Sequence, residues 1–168
     1  MLEGKEVTWF PSYGAEMRGG TANCTVVISD ELIGSPVVTN PDMLLVMSEA
    51  SLRKFHLKLN RNGLLLYDSS LMRDLHFKTD IGIVGIPATE IASKFGHTKS
   101  ANMVLLGAFV GLTHIVSEAS VFMAIESSLP EKKLKLIDDN KQAVTEGIEF
   151  IEDTKSQDIG FKTGSKTR

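Results

Sequence analysis

The sequence predicts an α/β domain, a layered sheet with flanking helices whose strands fall mainly in the first half and whose helices fall in the second. Three observations carry this. Short apolar or alternating runs, bounded by Gly, Pro and Asn, recur as far as residue 86. From residue 88 onward, longer stretches repeat their apolar residues three and four apart. Between them, two runs without alternation, residues 43–47 and 63–67, flank a helical stretch, which is the strand–helix–strand pattern of a parallel sheet.

The first strand is expected over residues 5–11, where Val7, Trp9 and Pro11 alternate with Glu6, Thr8 and Phe10. A glycine-punctuated loop follows over 13–20, and residues 21–29 read as a second strand with Ala22, Cys24, Val26 and Ile28 on one apolar face. The run 43–47 is expected to be a central strand covered on both faces. Leu52, Phe55 and Leu59 predict a helix over 49–60, ended by Asn60, Asn62 and Gly63. Residues 63–67 and 81–86 are further strands, the latter weakened by Gly82 and Gly85; residues 88–96 form a helix with Gly96 as its C-cap.

Residues 101–116 predict a buried helix with Gly107 and Gly111 four apart, a seam along which another backbone can approach closely. Ser117 is placed to cap a helix running to 127, and Ser128-Leu129-Pro130-Glu131 has capping-box spacing for the next. Leu134, Ile137, Val144, Ile148 and Ile151 trace its stripe, with a break expected at Asn140. The organisation is one domain over residues 1–154 and a polar, flexible tail over 155–168.

Composition narrows the function. A net charge of −3 argues against nucleic-acid binding, which needs clustered positive charge. The 168 residues hold a single cysteine, Cys24, so the chain cannot complete a disulfide, a CxxC pair or a four-cysteine iron–sulfur site. Charged residues follow Met1, with no apolar signal region, and the 101–116 stretch is too short and too interrupted to span a bilayer. A cytoplasmic chain without membrane contact is expected. His56, His76, His97 and His114 lie on separate elements at no metal-binding spacing, and Glu118 and Glu126 read as a solvated face. No nucleotide-loop or serine-hydrolase motif occurs.

One stretch stands apart: Tyr13-Gly14-Ala15-Glu16-Met17-Arg18-Gly19-Gly20-Thr21-Ala22-Asn23-Cys24. It sets Glu16 and Arg18 in a glycine-rich loop, where Gly19 and Gly20 permit close approach and Arg18 offers a rigid fork for a carboxylate or phosphate. An internal brace, with Arg18 bonded to Glu16 or to backbone, is the reading that the residues alone favour. This stretch closely resembles the signature of the gamma subunit of 2-oxoacid:ferredoxin oxidoreductases, most like the 2-oxoglutarate type. The resemblance continues through residues 33–36, Pro41-Asp42, residues 63–67, Ile86-Pro87-Ala88-Thr89-Glu90, Ala101-Asn102-Met103, Gly107, Asn140, Ala143 and Gly147.

The resemblance implies an accessory subunit of an enzyme that decarboxylates a 2-oxoacid oxidatively to an acyl-CoA and passes the electrons to ferredoxin. It implies no catalytic residue, cofactor or metal on this chain. Thiamine diphosphate and iron–sulfur clusters are expected on partners: alpha and beta subunits and a ferredoxin-like delta subunit. It makes Tyr13, Glu16, Arg18, Gly19, Gly20 and Asn23 a substrate- or subunit-facing loop, with coenzyme A as a candidate contact. Members of the family open with a strand, a Gly-Gly-Gln-Gly-type turn and a helix ahead of the strand at 5–11. Here Met1-Leu2-Glu3-Gly4 stands in place of the end of that helix, so the first strand–turn–helix is expected to be lacking, along with the anion site of its turn. Two alternatives remain: a stand-alone α/β protein binding a small anion through Arg18, and a pure assembly subunit.

Overall fold

The computed structural model describes residues 2–12, 21–72, 80–130 and 133–156. The five strands precede four of the five α-helices, the expected α/β order. They divide into two sheets. Strands β1 (Glu6–Ser12) and β2 (Asn23–Ser29) pair only with each other, antiparallel, with Trp9 opposite Val26 and Ser12 opposite Asn23. Strands β3 (Met43–Val46), β4 (Leu64–Asp68) and β5 (Gly82–Ile86) form a parallel sheet in the order β3-β4-β5.

Alternation along the parallel strands supplies both faces. On one face Val46 and Leu65 pack with Met72 and with Leu52 of α1 (Glu49–Phe55), whose N-cap Ser48 accepts from the Ser51 amide. On the other, Leu66, Val84 and Ile86 pack against α2 (Ala88–Lys94) and α3 (Ala101–Thr113). Gly85 gives up a side chain where the Tyr67 ring lies: a Cβ there would stand 2.8 Å from the Tyr67 hydroxyl.

The helical half closes over α3. Helix α4 (Glu118–Ser128) starts at Ser117, whose side chain accepts from the Ser120 amide, as its position predicts. Helix α5 (Leu134–Ser156) carries residues of both helical clusters, Ala143 and Ile151 in one, Ile137 and Val144 in the other. The glycine seam does what its spacing predicts. A Cβ on Gly107 would lie 2.0 Å from the Val144 carbonyl oxygen, and one on Gly147 would lie 2.1 Å from that of Val104. Helix α3 ends where His114 turns left-handed, φ 50°, its amide donating to the Val110 carbonyl.

Several expectations give way. The run 43–47 forms an edge strand, not a central one, and on the α3 side Met43 and Leu45 stay 37% and 39% exposed because the helices cover only β4 and β5. The helix expected over 49–60 stops at Phe55 and tightens into a 3-10 turn, His56–Lys58, since the Asn60 amide must reach the Pro41 carbonyl. No break occurs at Asn140: α5 runs through it because the buried side chain meets the Ser100 hydroxyl at 3.3 Å. Ser128 closes α4 instead of opening the next helix, its hydroxyl donating to the Ala124 carbonyl. Helix α5 also continues through Lys155, whose Nζ donates to the Gly111 carbonyl, and Ser156.

Candidate functional site

The loop singled out in the sequence joins the two strands of the antiparallel ribbon. Tyr13, Glu16, Arg18, Gly19 and Gly20 lie outside the described residues, as does His76. Asn23 is half-buried at the first position of β2, opposite Ser12, so the loop leaves from the paired end of the ribbon. Beside that end, Lys54 of α1 donates to the Thr21 hydroxyl at 2.8 Å, and at the other end Lys5 pairs with Asp30 at 2.6 Å.

Among the described residues nothing covers the centre of the ribbon's apolar face. Val7, Trp9 and Pro11 share it with Cys24, Val26 and Ile28, and the alternation of β2 predicted this set. A face of that composition is expected to be a core face, yet Trp9 is 62% exposed, Val26 is 52% exposed, and Ala22 and Cys24 are exposed. No ribbon side chain joins any of the three hydrophobic clusters.

At the carboxyl ends of β4 and β5, where ligands of open α/β sheets gather, a fully buried Asp68 organises the turns. Its Oδ1 accepts from the Ser70 amide at 3.0 Å, and its Oδ2 accepts from the Thr89 amide at 3.2 Å and the Thr89 hydroxyl at 2.5 Å. Ser70 in turn accepts from the Glu90 amide at 3.0 Å. With three donors on its two oxygens, Asp68 ties the end of β4 to the start of α2 and has the character of a brace.

An open groove of about 620 Å³ lies at the far end of α3. Glu3, Glu118 and Glu152 line it, with His114, Val116 and Ile148. Glu3 accepts from the Ser117 amide at 2.8 Å and the Ser117 hydroxyl at 2.7 Å. The Ser120 side chain, then Ser117, hold its carboxyl down at about 2. Glu146 goes the other way: burial first, then the Glu149 charge, raises it. Such an acidic groove repels an anion, so it offers no seat for a phosphate or an oxoacid.

Several other titratable groups serve local structure. His97 stands 3.3 Å from Asp139, His56 meets the Leu52 carbonyl, and Glu126 pairs with Lys141. Among the described residues no three His, Cys, Asp or Glu side chains gather as metal ligands. No described helix is long and apolar enough to cross a membrane.

What the described residues define is an α/β domain with a braced sheet end and an exposed apolar ribbon. A family model described as pyruvate ferredoxin/flavodoxin oxidoreductase matches residues 1–150, and the chain belongs to that family. It is similar to the ketoisovalerate oxidoreductase subunit VorA of Methanothermobacter thermautotrophicus, 39% identical over 150 residues, covering 88% of this chain and 31% of that one. It is also similar to the 2-oxoglutarate synthase subunit KorC of Methanocaldococcus jannaschii, 38% identical over 133 residues, 78% of this chain and 71% of that one. Among solved structures, the keto/oxoacid ferredoxin oxidoreductase gamma subunit from Geobacter sulfurreducens superposes with a TM-score of 0.74 at 30% identity, over 90% of this chain and 83% of that one. The chain thus spans about a third of the VorA relative and most of the KorC and gamma-subunit chains.

Proposed function

We propose that this chain is the gamma subunit of a thiamine-diphosphate-dependent 2-oxoacid:ferredoxin oxidoreductase acting on 2-oxoglutarate. The reaction is oxidative decarboxylation. The 2-oxoacid and coenzyme A give acyl-CoA, carbon dioxide and a proton, and two electrons pass to ferredoxin. The observation that carries the reading is the family match over residues 1–150, with the 38% identity to the KorC relative supporting the substrate. Alpha, beta and delta partners would bring the thiamine diphosphate and the clusters, for which one cysteine provides no ligand set here.

In this reading the 13–23 loop, with Tyr13, Glu16, Arg18, Gly19, Gly20 and Asn23, faces a neighbouring subunit or the coenzyme A path. A stand-alone anion-binding protein would rely on that loop and its Arg18, since three carboxylates line the groove at the end of α3. A second substrate, 3-methyl-2-oxobutanoate, is favoured by the 39% identity to the VorA relative.

The test is to recover the complex through a tag on this chain and to assay viologen reduction with each oxoacid, coenzyme A and thiamine diphosphate. The complex should turn over 2-oxoglutarate in preference to 3-methyl-2-oxobutanoate, and the isolated chain should turn over neither. Activity of the isolated chain, or recovery without partners, would sink the subunit reading. A preference for the branched oxoacid would replace the substrate alone.

A further inference from the structure

We infer that the ribbon face bearing Val7, Trp9, Pro11, Cys24, Val26 and Ile28 is the docking surface for another subunit of the complex. Its occupant is the polypeptide that corresponds to the rest of the VorA chain. This deepens the subunit reading and rests on it. A two-stranded ribbon is marginally stable by itself in water. Among the described residues this one pairs with no strand of the parallel sheet and shares no core cluster with it. A tryptophan more than half exposed, beside a half-exposed valine, is a costly surface for an isolated chain and a characteristic centre for an interface.

The occupant follows from chain lengths. The match to VorA covers 88% of this chain and only 31% of that one, so VorA joins this same domain covalently to about two-thirds of a chain more. The KorC match covers 71% of its chain, so KorC carries this domain with far less besides it than VorA does. A domain found both fused and separate meets its companion through a surface in either case. When separate, it must present that surface to a partner. The face is about 20 Å long and about 10 Å wide, roughly 200 Å² and so about a quarter of one side of a standard interface.

Two reporters sit on this face, since the chain holds one cysteine and one tryptophan. Alkylation of Cys24 by N-ethylmaleimide, followed by mass spectrometry, should be at least ten-fold slower in the recovered complex than in the isolated chain. Trp9→Arg or Val26→Asp should weaken recovery of the partners at least ten-fold, while Leu57→Arg, at another exposed apolar site, should not. An intact complex in which Cys24 reacts as fast as in the isolated chain would overturn the surface and leave the subunit reading standing. Failure to recover any partner would overturn both. Protection of Cys24 that appears in the isolated chain only at high concentration would give the face to a second copy. Protection at every dilution would give it to this chain's own residues. Either result overturns the proposal.

Discussion

Gly147→Ala adds a single methyl group where helices α3 and α5 cross. Its Cβ would lie 2.1 Å from the Val104 carbonyl oxygen and 2.7 Å from the Ala108 amide nitrogen. That is about 1.3 Å short of ordinary contact, and both obstacles are backbone, so no rotamer change relieves them. The helices must separate, along a seam that buries Val104, Ala108 and Val144 completely. Intrinsic helix propensity pulls the other way, since alanine in place of glycine gains about 1 kcal/mol in a helix interior. Overpacking costs about 1–3 kcal/mol and more when backbone has to move. With two backbone obstacles the cost falls at the top of that range, and the net expectation is a loss of about 2 kcal/mol. With an m-value of about 1–3 kcal/mol/M, the urea midpoint falls by on the order of 1 M. Gly107→Ala, 2.0 Å from the Val144 carbonyl oxygen, should behave alike, and the double variant should lose less than the sum because one separation relieves both. Gly34→Ala, with open space around it, should change stability by less than about 0.5 kcal/mol. If Gly147→Ala unfolds at the wild-type midpoint or above it, propensity outweighs packing and the account of the seam is wrong.

Further outcomes follow from the braces and the loop. Asp68→Asn weakens charge-assisted bonds at a fully buried site and should cost about 2 kcal/mol, with faster hydrogen exchange at the Thr89 amide; unchanged exchange would remove Asp68 as the brace. Glu3 titrates near 2 when folded and near 4.5 when unfolded. Its contribution is therefore fully present above 4.5 and is lost as pH falls through 2, and Glu3→Gln should flatten the stability profile over that window. Glu146 is raised in the fold, so its charged form opposes folding at neutral pH, and Glu146→Gln should raise the urea midpoint there. Arg18→Ala should leave stability within about 0.5 kcal/mol but weaken association or raise KM for coenzyme A or the oxoacid. Arg18→Lys should restore only part of that loss; a destabilised chain with normal kinetics in the complex would make Arg18 an internal brace.

Local signals were readable where a residue and its partner lie close in sequence. Ser117 announces the α4 cap, three positions from the amide it accepts. The glycines of α3 announce a close crossing, although nothing in the sequence names Val144 as the backbone that arrives there. Apolar runs mark strands but do not say how far a helical layer extends, so β3 reads as a central strand while its Met43 and Leu45 lie beyond the helices. Likewise, the alternation on β2 identifies an apolar face without telling a core from an uncovered surface. Asn140 looks like a helix breaker until Ser100, forty positions earlier, takes its side chain. The Asp68–Thr89 and Glu3–Ser117 bonds span 21 and 114 positions, and no spacing rule reaches that far. For the candidate loop, composition and resemblance supply the residues, and the structure supplies Asn23 and the ribbon end from which the loop leaves.

Helix α5 also sets the order in which this protein can be born. It supplies residues to both helical clusters, and Gly147 leaves the hollow that the Val104 backbone carbonyl fills. At a synthesis rate of about 5–20 residues per second, Gly147 leaves the ribosome about 2–9 s after Val104. During those seconds α3 has no α5 to lie against, and the side of the sheet it covers lacks its outer layer. The apolar flank of α3 and of the sheet beneath it is thus on show until α5 is made, which is the kind of surface that chaperones bind.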